Sequence, residues 1–202
     1  LDRLELRGRD SGGLSVLVHN HALDLSSPSV VEQLEQRGDP LFRNGTVRVA
    51  DGHLCFAYKA AAEIGELGDN TRALRAAIAA DELLRLALDS DDARAEVTGH
   101  TRWASVGIIS QANTHPFDSR EVGLDGPLVT GAINGDVDNF ADLKAAEGLE
   151  LPPEQTADSK VLPVLVSRRL AAGATPTEAF RSTVAGFEGS VAVITTVASD
   201  PD

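Results

Sequence analysis

The stretch "GHTRWASVG", residues 99–107, places an Arg directly before the only Trp of the chain, among small residues. A planar guanidinium such as that of Arg102 can grip a carboxylate through two parallel hydrogen bonds. The same pattern also fits an ordinary strand end, with Arg102 exposed to solvent and Trp103 buried. The residues by themselves leave both interpretations open, a carboxylate-binding loop and a surface strand end.

Two further places offer groups that a small-molecule site could use. Asn134 and Gly135 follow a strand pattern, where a side-chain amide and a flexible backbone N–H could stabilise an oxyanion. A simple turn is the other interpretation of this pair. Asp158 begins a predicted helix, where it would ordinarily be the N-cap, although its carboxylate could instead bind the ammonium group of a ligand.

The other reactive side chains fit no catalytic pattern. The five His residues show no helical metal-ligand spacing and the chain has one Cys, so we expect no metal site and no cofactor. Cys55 lies in the middle of a strand pattern with no base nearby in the sequence, and we predict a small core residue. The chain also lacks the sequence of a phosphate-binding glycine loop and of a nucleophile elbow.

Strands and helices of several kinds must position these residues. Alternating and branched residues predict strands, including a hairpin that turns at Asp51-Gly52. Helical spacing and capping signals predict six helices, the first of which ends at Arg7-Gly8. The strands are expected over residues 12–20, 46–60, 126–133 and 189–199, and the other helices over 28–38, 70–88, 138–148, 157–173 and from Thr175. This mixture indicates an α+β fold rather than a doubly wound sheet.

The size and charge of the chain narrow its class. Its 202 residues suit one domain, and no apolar run approaches the roughly 20 residues that a bilayer crossing needs. The net charge of −13 repels phosphate backbones, which argues against a nucleic-acid partner. From the charge and the short apolar runs we expect no nucleic-acid and no membrane partner. A single cysteine fits a reducing compartment, so we also expect a cytoplasmic protein.

The order of the short motifs resembles a known family. The motifs are, in chain order, RGRDSGG, GHTRWAS, NTHP, NG after a strand, and ADSK at the start of a helix. This order resembles the glutaminase domain of glutamine–fructose-6-phosphate aminotransferase (glucosamine-6-phosphate synthase), in which RGYDSAG, GHTRWATHG, NAHPH, HNG and TDTE follow one another. The amidophosphoribosyltransferase branch of the class II glutamine amidotransferases resembles the chain more weakly, because its equivalent loop usually carries Tyr in place of Trp103.

The resemblance implies a fold and a reaction. Residues 1–202 would form a glutamine amidotransferase type-2 domain, a four-layer αββα sandwich of the N-terminal-nucleophile hydrolase type, here lacking its first strand. Glutamine would be hydrolysed to glutamate, and a downstream isomerase domain, through which homo-oligomers are expected, would add the ammonia to a sugar phosphate such as fructose 6-phosphate. The family's nucleophile is a Cys at the mature N-terminus with its own α-amine as the base. We expect that Cys outside these residues, since Cys55 lacks a free amine.

The resemblance also implies roles for individual residues. Arg102 would bind the α-carboxylate of glutamine, and Asp158 its α-ammonium group. Asn134 and the backbone N–H of Gly135 would stabilise the tetrahedral oxyanion. Trp103 falls in the loop that closes over bound glutamine in this family.

Two more residues of the motifs are expected to contact the substrate. Ser105 keeps the hydroxyl of the family's Thr, and His115 matches the first His of NAHPH.

Several departures from the family keep other functions open. Val106 and Ile133 replace family His residues, Phe117 replaces the second His of NAHPH, and Ala157 and Lys160 replace Thr and Glu. A non-catalytic regulatory module that binds glutamine is therefore one alternative to the glutaminase. The glutaminase domain of another class II amidotransferase, such as amidophosphoribosyltransferase, is a second.

Overall fold

The structure of the chain is a computed structural model that describes residues 6, 8–61, 66–103 and 108–200. Its strands are β1 Ser11–His19, β2 Val47–Ala50, β3 His53–Ala60, β4 Arg94–Arg102, β5 Phe117–Asp118, β6 Val129–Val137 and β7 Gly189–Val197. Its α-helices are α1 Pro28–Gln36, α2 Asp69–Ala79, α3 Glu82–Ala87, α4 Phe140–Ala146, α5 Val161–Ala171 and α6 Pro176–Val184. None of these helices combines the length and the apolar character that a membrane crossing requires.

The strands form two antiparallel sheets, as expected for the predicted α+β class. One sheet has the order β2-β3-β1-β4, and the other has the order β5-β6-β7. Side chains of α2 and α3 share a buried cluster with β1 and β3, and α5 and α6 share another with β6 and β7. The hydroxyls of Ser15 on β1 and Thr130 on β6 lie 3.4 Å apart and join the two sheets.

The structure confirms several predictions that were based on local sequence patterns. The hairpin of β2 and β3 turns at Asp51 and Gly52, whose φ values of 52° and 78° suit the two central positions of its tight turn. Helix α6 carries the predicted capping box, in which the Thr175 hydroxyl accepts the Glu178 N–H and the Glu178 carboxylate accepts the Thr175 N–H. Cys55 is buried in β3 as predicted, and burial raises the pKa of its thiol to about 12.

The predicted helix over residues 70–88 is wrong in one respect, because the structure has two helices there. Helix α2 ends at Ala79, and Asp81 begins α3 by accepting the Leu84 N–H with its carboxylate. Asp81 also binds both terminal nitrogens of Arg37, at 2.9 and 2.6 Å, and the Tyr58 hydroxyl at 2.7 Å. These tertiary contacts hold Asp81 at a cap position that helical periodicity does not reveal.

A buried cluster of charges lies near β5, with one carboxylate among three basic side chains. Asp118 accepts hydrogen bonds from Arg48 Nε at 2.9 Å and from Lys160 Nζ at 3.1 Å, and all three side chains are buried. Lys59 also points into this region, where its Nζ lies 5.1 and 5.3 Å from the ring centroids of Phe42 and Phe117. Lys59 Nζ has no hydrogen-bond partner within the described ranges, so its positive charge is poorly compensated.

We predict that Lys59→Met stabilises the protein at pH 7 by about 1–4 kcal/mol, because an apolar side chain of similar size suits this site better than a buried ammonium group. Burial, with Lys160 and Arg48 nearby, lowers the pKa of Lys59 to about 7. Between this value and the ordinary pKa near 10.5, the unfolded chain binds more protons than the folded one. The stability of the unaltered protein should therefore rise across this pH window.

Urea unfolding at pH 7, 8 and 9 measures both effects. Lys59→Met should be the more stable protein at pH 7, and its advantage should shrink toward pH 9. Lys144→Met, at an exposed position of α4, is the matched control and should change neither quantity. A Lys59→Met protein that is less stable at pH 7 than the parent would show that the ammonium group is well accommodated.

Candidate functional site

Six of the seven predicted site residues that could bind or react line one cavity of about 210 Å³. They come from β4 and the residue after it, from β6, and from the segments before β5 and before α5. The six residues are Arg102, Trp103, His115, Asn134, Gly135 and Asp158. Drug-sized ligands occupy cavities of roughly 300–1,000 Å³, so this smaller cavity suits a ligand of amino-acid size. The seventh residue, Ser105, and the family departure at Val106 lie outside the described residues.

The structure contradicts the interpretation of the motif as a surface strand end with Arg102 exposed and Trp103 buried. Arg102 is the last residue of β4 and pairs with Ser11 of β1, which places its side chain in the protein with 8% exposure. Trp103, the next residue, is 68% exposed. The buried Arg102 and the exposed Trp103 are the reverse of what a solvated strand end would show.

Asp158 supplies the opposite charge in the same cavity. It lies in a single 3-10 turn, Asp158–Lys160, just before α5. The predicted N-cap role is wrong, because Ala157 holds the cap position and the Asp158 carboxylate instead accepts the Val137 N–H at 2.7 Å. Burial lowers the pKa of Arg102, whereas the negative charges of Asp158 and Asp10 oppose that shift.

Asn134 and Gly135 lie inside β6, so the interpretation as a turn and the expected position at a strand end are both wrong. They pair with Ala192 and Val191 of β7, and β6 continues to Val137. Gly135 has φ of +129°, and a Cβ atom there would lie 1.9 Å from the Ser190 carbonyl oxygen. Only glycine fits this position without strain.

His115 forms the floor of the cavity together with His100. Their ring centroids lie 4.3 Å apart, and His115 Nε2 lies 2.7 Å from the Ser159 hydroxyl. Burial, together with His100 and Arg102, lowers the pKa of His115 well below its ordinary value, and burial beside Arg102 lowers that of His100 to about 4. Both imidazoles are therefore neutral at pH 7, and the charged residue types that line the cavity are Arg102, Asp136 and Asp158.

Sequence reasoning missed five residues that line the cavity, namely His100, Thr101, Ile133, Asp136 and Ser159. Strand periodicity could have revealed two of them. His100 lies two residues before Arg102 and Asp136 two residues after Asn134, and such neighbours share a face of a strand. Ser159 carries no comparable signal, since it reaches the cavity through an irregular turn.

The unexpected Lys160 lies away from the cavity. Its Nζ donates to the carbonyl and carboxylate oxygens of Asp118, at 2.8 and 3.1 Å, and its side chain is fully buried. Phe117, another departure from the family, is buried against the His115 ring at 4.9 Å. Neither Phe117 nor Lys160 lines the cavity, whereas Arg102, Asp158 and the Asn134–Gly135 pair do.

A larger cavity of about 640 Å³ lies elsewhere, between α1, the β2–β3 hairpin and the start of α3. It contains none of the predicted site residues. The charged pair at its wall, Arg37 and Asp81, is already engaged by mutual hydrogen bonds and by the cap of α3. The smaller cavity is therefore the better candidate site, since it alone of the two brings the predicted groups together.

Several curated sequences that are similar to this chain carry the same name. The glutamine–fructose-6-phosphate aminotransferase of Caulobacter vibrioides is 33% identical over 105 residues, which are 52% of this chain and 16% of that protein. The enzyme of Mesorhizobium japonicum is 34% identical over 107 residues, 52% of this chain and 16% of that protein. The enzyme of Bacillus cereus is 29% identical over 119 residues, which are 59% of this chain and 19% of that protein. The chain thus spans less than a fifth of the length of these relatives.

Solved structures and family models add the following. The allosteric regulatory enzyme of purine biosynthesis aligns with a TM-score of 0.49 and 17% identity, over 92% of this chain and 35% of that one. The glutamine phosphoribosylpyrophosphate amidotransferase of B. subtilis, complexed with ADP and GMP, aligns with a TM-score of 0.49 and 18% identity, over 93% and 35%. No family model matches the chain. Over about half of its length, the chain is similar to the glutamine–fructose-6-phosphate aminotransferases, the family that its motif order resembles.

Proposed function

We propose that this chain is the glutamine-hydrolysing part of an amidotransferase that aminates a sugar phosphate such as fructose 6-phosphate. The observation that carries the proposal is the convergence of Arg102, Asp158 and the Asn134–Gly135 pair on one cavity. The opposite charges of Arg102 and Asp158 match the α-carboxylate and α-ammonium groups of an amino acid. The similar sequences are named glutamine–fructose-6-phosphate aminotransferases, and from this name we take glutamine and fructose 6-phosphate as the proposed substrates.

The proposed reaction assigns the remaining groups. With its amino-acid end held, glutamine presents its side-chain amide toward Asn134 and Gly135, which stabilise the oxyanion as the amide carbon becomes tetrahedral. Trp103, exposed at the rim, closes over the substrate, and His115 and Ser105 are proposed to contact it. No cofactor is required for this hydrolysis.

The nucleophile is proposed to be a Cys at the mature N-terminus of the intact protein, outside the 202 residues. The α-amine of this Cys takes the thiol proton, and the thiolate attacks the amide carbon of glutamine. The C–N bond then breaks as the resulting α-ammonium group of the Cys gives that proton to the amide nitrogen, which leaves as ammonia. Water then hydrolyses the thioester to glutamate. Cys55 cannot replace it, because the Cys55 thiol is buried in β3 and burial raises its pKa to about 12.

The architecture and setting follow the same resemblance. We propose that the two sheets and their helices form a four-layer αββα sandwich of the N-terminal-nucleophile hydrolase type, to which a preceding strand is added. Helices on the outer faces of both sheets support it. A downstream isomerase domain would bind the sugar phosphate and form homo-oligomers, and the protein would act in the cytoplasm.

Glutamine hydrolysis by the intact protein tests the proposal directly. Glutamate release should require an N-terminal Cys and should stop when that Cys is alkylated. Amination of fructose 6-phosphate, compared with phosphoribosyl diphosphate, identifies the acceptor. Glutamine binding without any hydrolysis would instead support the non-catalytic module.

We predict that Arg102→Lys raises the KM for glutamine by about 10–100-fold, since Lys cannot form the two-point contact with a carboxylate. Steady-state kinetics of the intact protein measure the change. Arg120→Lys, at an exposed position away from the cavity, is the matched control and should leave KM unchanged. A KM for Arg102→Lys within about twofold of the parent value would contradict the carboxylate-binding role.

A further inference from the structure

Asn113 connects two loops that meet below the candidate site. Its side chain is 1% exposed and belongs to the loop before β5. The carboxamide nitrogen donates to the Glu154 carbonyl oxygen at 2.9 Å. The carboxamide oxygen accepts the N–H groups of Thr156, at 2.8 Å, and of Ala157, at 3.0 Å. One buried side chain thus binds the backbone of residues 154–157, directly before Asp158.

A second contact joins the same two loops on the other side of Asp158. His115, two residues after Asn113, lies 2.7 Å from the Ser159 hydroxyl through its Nε2. Asp158 is therefore flanked by two connections to a single loop, one before it and one after it. The carboxylate itself is held by the Val137 N–H of β6 at 2.7 Å.

The Asn113 carboxamide is itself fixed in orientation. Its nitrogen lies 3.2 Å from the Ser110 hydroxyl, and its backbone N–H is bound to the same hydroxyl at 3.3 Å. An Asn side chain whose donor and acceptor are both hydrogen-bonded restricts the position of a backbone segment more than a single hydrogen bond does. An apolar side chain at residue 113 would leave the Thr156 and Ala157 N–H groups without this partner in a buried place.

We propose that Asn113 is a positioning residue that sets the location of the Asp158 carboxylate and thereby the preference of the site for ligands that carry an ammonium group. The inference rests on the proposed function, in which Asp158 binds the α-ammonium group of glutamine. A displaced carboxylate weakens only the contact with that group. Arg102, which would bind the carboxylate of the ligand, lies on β4, and Asn134, which would bind the oxyanion, lies on β6. None of the Asn113 hydrogen bonds described above reaches either strand, so these contacts should be unaffected.

The test compares glutamine with 4-carbamoylbutanoate, which is glutamine without its α-amino group, in the intact protein. Asn113→Ala should raise the KM for glutamine by about tenfold with little change in kcat, because an error of about 1 Å in a positioned group has effects of this size or larger. The inhibition constant of 4-carbamoylbutanoate should stay within about twofold of the parent value. A general loss of structure would weaken both ligands equally, and that result would overturn the proposal.

Two further variants make the result specific. Asn113→Asp keeps the acceptor for the two N–H groups but loses the donor to Glu154, so it should raise the glutamine KM less than Asn113→Ala. If Asn113→Ala does not fold, Asn113→Asp takes its place in the comparison of the two ligands. Thr156→Ala removes only an exposed hydroxyl that lies 3.4 Å from the same carboxamide, and it should change neither constant. Thermal unfolding of each variant confirms that the protein remains folded.

Asp158→Asn separates the positioning role from the proposed function. This variant should raise the glutamine KM and leave the inhibition constant of 4-carbamoylbutanoate unchanged. If it leaves the glutamine KM unchanged, the role of Asp158 fails, and the positioning proposal fails with it. If Asp158→Asn raises the KM but both Asn113 variants do not, only the positioning role is overturned.

Discussion

Replacing Asn134 by Ala in the intact protein is expected to lower kcat for glutamine hydrolysis by about 10²–10³, with a much smaller change in KM. The side-chain amide would donate to an oxygen that becomes negatively charged only as the amide carbon turns tetrahedral. Its contribution is therefore larger in the transition state than with bound glutamine, and its loss appears in kcat. Steady-state kinetics together with calorimetric glutamine binding separate the two effects.

The strand around Asn134 offers a matched control. Ala192 lies directly opposite Asn134 on β7, and Ala192→Ser changes the same part of the ladder without removing a donor from the cavity. It should leave kcat unchanged. Weaker glutamine binding by Asn134→Ala, with kcat preserved, would instead assign this residue to substrate recognition.

Replacing Asp118 by Asn is expected to cost about 3–5 kcal/mol of unfolding free energy, the loss typical of removing one partner from a buried ion pair. Asp118 is the carboxylate that accepts from both Arg48 and Lys160. Burial alone would raise the pKa of Asp118, but Lys160 and Arg48 outweigh burial and hold it below its usual value. Without this carboxylate, positive charges of Arg48, Lys59 and Lys160 face one another away from solvent.

Urea unfolding of paired variants measures this loss. Asp89→Asn, at an exposed position after α3, controls for the change of net charge and should have little effect. Adding Lys160→Met to Asp118→Asn should recover part of the lost stability, because one uncompensated charge is removed. If the double variant is no more stable than Asp118→Asn, lost packing rather than charge dominates the effect.

Local sequence signals identified most elements, and in several cases their ends. The Asp51-Gly52 turn and the Thr175 capping box depend on residues within four positions of one another, so the sequence contains the whole cause. The break at Asp81 was missed because helical spacing continues through it, and because Arg37, which binds the capping carboxylate, lies 44 residues away. Residue types also gave no warning that β6 continues through Asn134 and Gly135, since the pairing with β7 decides it.

The sequence by itself determined which residues could bind an amino acid and the class of fold that holds them. Side-chain chemistry and motif order suffice for that, because a guanidinium, a carboxylate and an amide keep their bonding preferences in any fold. Only the tertiary structure decided that Arg102 is buried while Trp103 is exposed, and that Lys160 belongs to Asp118 rather than to the site. Burial and long-range pairing depend on segments far apart in the chain, and no local pattern of residues specifies them.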